Sequence, residues 1–316
     1  MSISLFYRGG QFDSNFYYFS GVDFDHSFFV ASDNRKTLLT PKLNEAEARK
    51  KFDGRIIVYT DPFKELKAVV KAQEIRVDAR SLSMAFFQKL RRICRPIDFS
   101  DEFYRTRCRK TPREIRKMRR AAKATKELLM NIDVFAARDE AALRKMLLCE
   151  TIERGLEPAF DPIVATGKNS AFPHYRSGNS SLGDFVLVDY GVKYEKYCAD
   201  LTRCYFRKKG SKEERAYNSL KQVTKSIIHN IPTFSASDQV ARFAEETMKK
   251  AGLPKMIHSI CHGIWLQVHE FPRFNKKYKD KIRQSTFTIE PAVYFKDFGV
   301  RYEETVYYDN RKAVVL

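Results

Sequence analysis

Apolar and polar positions along the 316-residue chain fall into two textures that change near residue 104. Before that point short apolar runs alternate with segments of helical spacing. Strands are predicted at Ser27–Ala31, Thr37–Thr40, Arg55–Thr60 and Glu74–Val77, with helices over Pro62–Ala72 and Ser81–Ile93. Such alternation points to an α/β unit with its own sheet. The polar stretch from Ser100 to Lys110 reads as a linker. The expected division is an α/β N-terminal domain, residues 1–104, and a larger second domain, residues 105–316.

The second domain opens on a helix start. Thr111-Pro112-Arg113-Glu114 combines an N-cap, a proline at the first helical position and the glutamate of a capping box. Ile115, Met118, Ala122 and Leu129 follow at helical spacing. A second helix is predicted from Asp139 to Arg154, stopped by Gly155. Strands are then expected at Ala159–Ala165, Asp184–Tyr190 and Tyr197–Phe206. One more helix is opened by the box Ser211-Lys212-Glu213-Glu214, and another runs over Ser237–Lys250 and ends before Gly252. Met256–His269, Thr286–Tyr294 and Val300–Tyr308 read as strands again.

The candidate chemistry lies in acids at the ends of apolar strands. Phe185-Val186-Leu187-Val188 leads into Asp189, and Asp200 opens Asp200-Leu201-Thr202-Arg203. A hairpin around Lys193–Lys196 would pair Val192 with Tyr197 and therefore Asp189 with Asp200, where like charges destabilise a sheet. Near the C-terminus, pairing Tyr294 with Gly299 places Glu290 opposite Glu303, with Pro291 marking a bulge or edge. Buried carboxylates persist when protonated, paired with cations or bound to metal. Four acids beside the histidines of His262-Gly263-Ile264-Trp265-Leu266-Gln267-Val268-His269-Glu270 suit hard or borderline divalent ions. Hairpin-tip acids in water and an acid pair sharing a proton are the bland alternatives.

Together these segments resemble the pita-bread metallopeptidases, and within them the Xaa-Pro dipeptidases (prolidases) and Xaa-Pro aminopeptidases. Val188-Asp189-Tyr190-Gly191 with Ala199-Asp200-Leu201-Thr202-Arg203 is similar to the family's first ligand pair. His262-Gly263 with Val268-His269-Glu270 resembles its histidine segment, Thr288-Ile289-Glu290-Pro291 its fourth ligand, and Gly299-Val300-Arg301-Tyr302-Glu303 its fifth. Phe172-Pro173-His174-Tyr175 resembles its substrate-side histidine motif, and Asn15–Val22 the start of its smaller N-terminal domain. Trp265 departs from the pattern, standing where the family has glycine, which implies a narrower or reshaped pocket wall.

The resemblance implies an α+β fold: a C-terminal pita-bread (creatinase/aminopeptidase-type) catalytic domain with a smaller α/β N-terminal, creatinase-like domain. It implies two divalent ions per chain, manganese foremost, with cobalt or zinc as alternatives. Asp189 would bind one ion, Asp200 and Glu303 both, and His262 with Glu290 the second; Glu290 would also take a proton from the attacking water. His174 and His269 would hydrogen-bond the substrate carbonyl or oxyanion. Arg273 would clamp a dipeptide's free carboxylate, and aromatics near Phe172 and Tyr175 would line a slot for the proline ring. Arg301 is counted with the substrate-binding residues, and alternation, which puts it on the strand face of Glu303, gives it a role in bracing the metal carboxylates. The expected activity is hydrolysis of the imide bond in Xaa-Pro dipeptides by a homodimer. An Xaa-Pro or methionine aminopeptidase is the enzyme alternative, and a non-catalytic RNA- or protein-binding homologue the alternative of another class.

Composition changes this picture in two ways. A net charge of +19 attracts polyanions, and Arg105–Arg120 and Lys276–Arg283 are basic runs. This keeps nucleic acid as a minority reading against a plain solvated face. Six cysteines without a C-x-x-C pair indicate reduced thiols, and neither a signal-peptide core nor a membrane-length apolar run is seen. The expectation is a cytoplasmic protein with no membrane association.

Overall fold

A computed structural model describes residues 3–32, 35–71 and 73–316, in two compact units, 1–107 and 108–316. The first unit runs β1 (Ile3–Arg8), α1 (Ser14–Ser20), β2 (Ser27–Ser32), β3 (Arg35–Pro41), α2 (Glu45–Lys51), β4 (Arg55–Tyr59), α3 (Pro62–Val70), β5 (Glu74–Val77), α4 (Met84–Arg91), β6 (Arg95–Asp98) and α5 (Ser100–Cys108). Its mixed sheet has the order β4-β3-β2-β1-β5-β6 among the described residues. Neighbouring residues in a strand face opposite sides, and here both sides are covered. Leu5, Phe28 and Leu39 join one apolar cluster, whereas Phe6, Phe29 and Leu38 join the other.

Several expectations for this unit need correction. Strands β1 and β6 and helices α1 and α2 were not predicted, and the predicted end at Ala72 lies outside the described residues. The supposed linker is largely α5. Its polarity misleads because Arg107 is fully buried and donates to Ser14 Oγ (2.5 Å) and Asn15 Oδ1 (2.9 Å).

The second unit begins with α6 (Pro112–Asn131) and α7 (Glu140–Glu153). Thr111 and Glu114 form the expected capping box, and Asp139 caps α7 through the amide of Ala142. Strands β7 (Glu157–Pro158), β8 (Ile163–Thr166), β9 (Phe185–Tyr190), β10 (Val192–Tyr194), β11 (Tyr197–Cys198) and β12 (Leu201–Phe206) follow. Helices α8 (Lys212–Asn230) and α9 (Ser237–Lys250) come next. Last are β13 (His262–Gly263), β14 (Glu270–Arg273), β15 (Ser285–Ile289), β16 (Ala292–Tyr294), β17 (Gly299–Arg301), β18 (Glu304–Tyr308) and β19 (Ala313–Val315). Ser211 caps α8 from the Glu214 amide, but the Glu214 carboxylate reaches back to Gly210 N.

Every residue of β9 is buried, because helices pack on both of its faces. Val186, Val188 and Tyr190 join a core with Leu128, Leu143 and Leu147 of α6 and α7. Phe185 and Leu187 join one with Leu220, Ile227 and Val240 of α8 and α9. Asp189 alternates onto the second face. The continuous apolar run is therefore the mark of a strand covered on both sides.

Between Met256 and His269 only β13 is a strand, contrary to expectation. Here Ser259 Oγ lies 2.7 Å from Cys261 O and 2.6 Å from Phe274 O, so its single proton serves one or other of two carbonyls that a ladder would otherwise hold.

Candidate metal centre and active-site cavity

Hairpin geometry brings the acids together, though not in the expected register on the N-terminal side. Residue 194 pairs with 197, leaving a two-residue turn at Glu195 and Lys196, both left-handed (φ 47° and 74°). This turn slides the ladder by two residues, so Asp189 stands opposite Thr202 and not Asp200. A two-residue slip preserves the face, and both aspartates still enter one cavity. Gly191 permits the crossing, since a Cβ there would lie 1.8 Å from Ala199 O.

The C-terminal hairpin has the expected pairing, Ala292 with Arg301, Val293 with Val300 and Tyr294 with Gly299. The same register continues beyond Pro291, where Tyr302 N donates to Pro291 O (3.2 Å) and Ile289 pairs with Glu304. Glu290 and Glu303 therefore face each other.

Around His262 the carboxylates converge. Its Nε2 lies 3.7 Å from Asp200 Oδ2, 3.5 Å from Glu290 Oε1 and 3.9 Å from Glu303 Oε1. Thr202 Oγ1 donates to Glu303 Oε2 (2.7 Å). Arg301 donates through Nη2 to Asp189, through Nε to Thr202 Oγ1 (2.9 Å) and through Nη1 to the Tyr294 hydroxyl (2.9 Å).

Four carboxylates thus face the buried guanidinium of Arg301, with Arg203 reaching Glu303 only while paired with Glu304, and His262 adds no charge. Burial, then the neighbouring His269, lowers His262 to about 3, so it is a neutral donor at pH 7. Burial and the charge of Glu303 push Asp200 and Glu290 well above the carboxylate range. Burial and Asp189 push Glu303 to about 8. Asp189 Oδ1, Asp200 Oδ1 and Glu303 Oε1 are buried without a hydrogen-bond partner. Unsatisfied buried oxygens are costly, and a divalent cation answers both the missing partners and the missing positive charge. Asp200, His262 and Glu303 bring ligand atoms within 4.8 Å of one another, and this oxygen-rich set with one imidazole fits such an ion.

The acids line a cavity of about 410 Å³ together with His174, His258, His269 and Arg301. The rings of His262 and His269 stand 4.3 Å apart. His174 is carried on the segment between β8 and β9, anchored by Glu140 at the start of α7. That fully buried carboxylate accepts from Thr166 N (2.8 Å), Asn169 Nδ2 (2.9 Å), Tyr175 OH (2.9 Å) and Gly178 N (3.1 Å). Neither Glu140 nor His258 was singled out in the sequence. His258 hydrogen-bonds the Tyr294 hydroxyl through Nε2 (2.9 Å), and its Nδ1 lies 3.9 Å from Glu290 Oε2. The nearness of His258 to His262 in one segment was the available signal.

Three expectations fail. Arg273 does not line the cavity: its guanidinium is held by Asp280 through Nε (2.9 Å) and Nη2 (3.1 Å) and stacks on Phe271 and Tyr278. Arg273→Ala is therefore expected to leave dipeptide KM within about twofold while lowering Tm, because buried Asp280 loses the guanidinium and keeps only the residue 273 amide; a tenfold rise in KM would restore the clamp. Trp265 is fully buried against Tyr197 and Lys110, away from the cavity wall. Phe172 is 63% exposed and Tyr175 is tied to Glu140; the apolar lining is instead Phe160, Ile163, Pro173 and Val268.

The basic run at Arg105–Arg120 is largely engaged within each unit. Arg107 is buried, Lys110 lies over Trp265, Lys117 pairs with Glu195 (2.8 Å), and Arg120 donates to Tyr194 OH (2.6 Å). No helix among the described residues is long and apolar enough to cross a membrane.

Comparison with known proteins places this geometry. The profile of metallopeptidase family M24 matches residues 116–310, and that of the creatinase/prolidase N-terminal domain matches residues 10–109. An uncharacterized peptidase of Methanocaldococcus jannaschii is 33% identical over 65% of this chain, and the match spans 62% of that relative's length. The Xaa-Pro dipeptidase of Pyrococcus furiosus is 27% identical over 92% of this chain and 87% of its own. The crystal structure of the X-Pro aminopeptidase from Thermotoga maritima superimposes with a TM-score of 0.88 at 25% identity, covering 100% of this chain and 95% of that one. The expected fold, a pita-bread domain with a smaller α/β N-terminal domain, is the fold found.

Proposed function

From the premise that the chain belongs to metallopeptidase family M24, we propose that it hydrolyses the imide bond of Xaa-Pro dipeptides. The observation that carries this reading is the set of partnerless buried carboxylate oxygens around neutral His262, in a cavity that also holds His174 and His269. The similarity to a relative named Xaa-Pro dipeptidase supports the substrate class.

Asp189, Asp200, His262, Glu290 and Glu303 would hold two divalent ions, manganese foremost. Bound there, the ions supply Lewis acidity and a lowered water pKa for attack at neutral pH. Glu290, which lines the cavity beside His262 and Glu303, accepts a proton from the attacking water. His174 and His269 donate to the substrate carbonyl oxygen as it gains charge. Arg301 holds Asp189 in place, and Thr202 holds Glu303. Proline suits such a site because its imide lacks the N–H that general peptidases use.

The reading is completed by a cytoplasmic homodimer. Free cysteines, which suit a reducing compartment, support the location, and the resemblance supports the dimer. The test is hydrolysis of Leu-Pro, Met-Pro and a matching tripeptide after chelation and after return of manganese, cobalt or zinc. Metal-restored release of the first residue is expected; no hydrolysis with any ion would end the proposal.

A further inference from the structure

We propose that a lysine-lined groove beside the catalytic cavity binds the acidic C-terminal extension of peptides longer than Xaa-Pro. The inference rests on the reading above, that the first residue is released at the carboxylate centre, and adds which longer substrates are preferred.

The groove is the larger of the two spaces, about 690 Å³. His258 and Ser259 line both it and the catalytic cavity, so the two share one wall. That wall is well held: His258 bonds Tyr294 OH, and Ser259 Oγ bonds Cys261 O or Phe274 O. Met248, Ile260 and Phe274 supply buried apolar surface. Lys249, Lys255, Lys276 and Lys277 supply the charge, and Lys276 is paired with Glu245 (2.5 Å). Glu245, the acid on this lining, is taken by Lys276, and Lys249, Lys255 and Lys277 form no ion pair among the described residues.

Arg273, expected to stop a chain at dipeptide length, lines neither space and is committed to Asp280. No guanidinium from that position gauges the substrate's carboxylate. An extended chain advances about 3.3 Å per residue, so with proline seated against His258 and Ser259, one or two further residues would span the shared lining and reach the groove. Uncompensated ammonium groups over an apolar floor select a peptide tail with carboxylates. This gives a role to part of the basic run at Lys276–Arg283 that the catalytic centre leaves unused.

The manganese-loaded full chain is compared on Ala-Pro, Ala-Pro-Ala-Ala, Ala-Pro-Glu-Glu and Ala-Pro-Lys-Lys at low and high salt. KM for the Glu tail is expected to be about tenfold below that for the Lys tail, with the gap narrowing in salt. The double variant Lys255→Glu, Lys277→Glu should erase or invert the order and leave Ala-Pro kinetics unchanged. Equal KM for the tails, or hydrolysis confined to Ala-Pro, overturns the groove while sparing the dipeptidase reading. If nothing is hydrolysed, that reading fails on its own, and calorimetric binding of the same peptides decides the groove. Tighter binding of the Glu tail that the double variant loses supports it; equal binding overturns it. An RNA oligonucleotide that displaces the Glu-tail peptide, and whose own binding the double variant abolishes, would assign the groove to nucleic acid instead.

Discussion

Asp200→Asn is expected to lower Xaa-Pro hydrolysis by about a thousandfold or more, while the metal-free protein stays folded and is no less stable than the parent at pH 8. The first effect follows from position. Asp200 is 5% exposed, has one oxygen without a partner and the other 3.7 Å from His262 Nε2, and belongs to the set that fits an ion. The second follows from what holds the residue. Asp200 N meets Thr305 Oγ1 at 3.2 Å, and that hydroxyl donates to Asp200 O at 2.8 Å; neither bond uses the carboxylate. The amide keeps the shape and removes one of four crowded charges. Melting with and without manganese, beside kcat/KM, checks both parts. A variant that kept the parent's manganese-dependent gain in Tm and a tenth of its activity would show that Asp200 is no ligand.

Stripped of divalent ions, the parent should lose stability as pH rises from 6.5 to 8. Burial and Asp189 raise Glu303 from 4.5 to about 8. Between those values the folded chain holds a proton that the unfolded chain has released. Alkalinisation through this window therefore weakens the fold; below 4.5 both states hold the proton, and above 8 neither does. His262, lowered from 6.5 to about 3, acts in the opposite sense below 6.5, so the clean window starts there. Over these 1.5 units Glu303 alone contributes on the order of 2 kcal/mol, read as a fall in Tm of about 4–8 °C. Asp200 and Glu290 shift the same way. Saturating manganese should flatten or reverse the slope, because a ligand carboxylate is already deprotonated. A chelated protein with a flat Tm across this window would remove the argument that crowded charge calls for the cation.

Much of the site was legible because its signals are local or ordered along the chain. Acids that end apolar runs, and histidines in one short segment, can be read without knowing any fold. The Glu290–Glu303 pairing could be counted because the turn at Phe295–Phe298 closes as the count requires, with Phe295 N donating to Phe298 O (2.7 Å). The Asp189–Asp200 pairing could not. Its register depends on Glu195 and Lys196 accepting left-handed backbone, a conformation their side chains do not advertise.

Read alone, the chain determined what its short-range chemistry controls: the capped helices, the doubly buried strand at Phe185–Tyr190, and the acids and histidines that line one cavity. The tertiary structure decided what each long side chain meets. Arg273 went to Asp280 and not to substrate, Glu140 came to hold the His174 segment, and His258 became the wall between two cavities. The reason is one of range. A cap or a periodicity is settled within a few residues, whereas the partner of a guanidinium or a buried carboxylate is whichever group the packed core brings within about 3 Å.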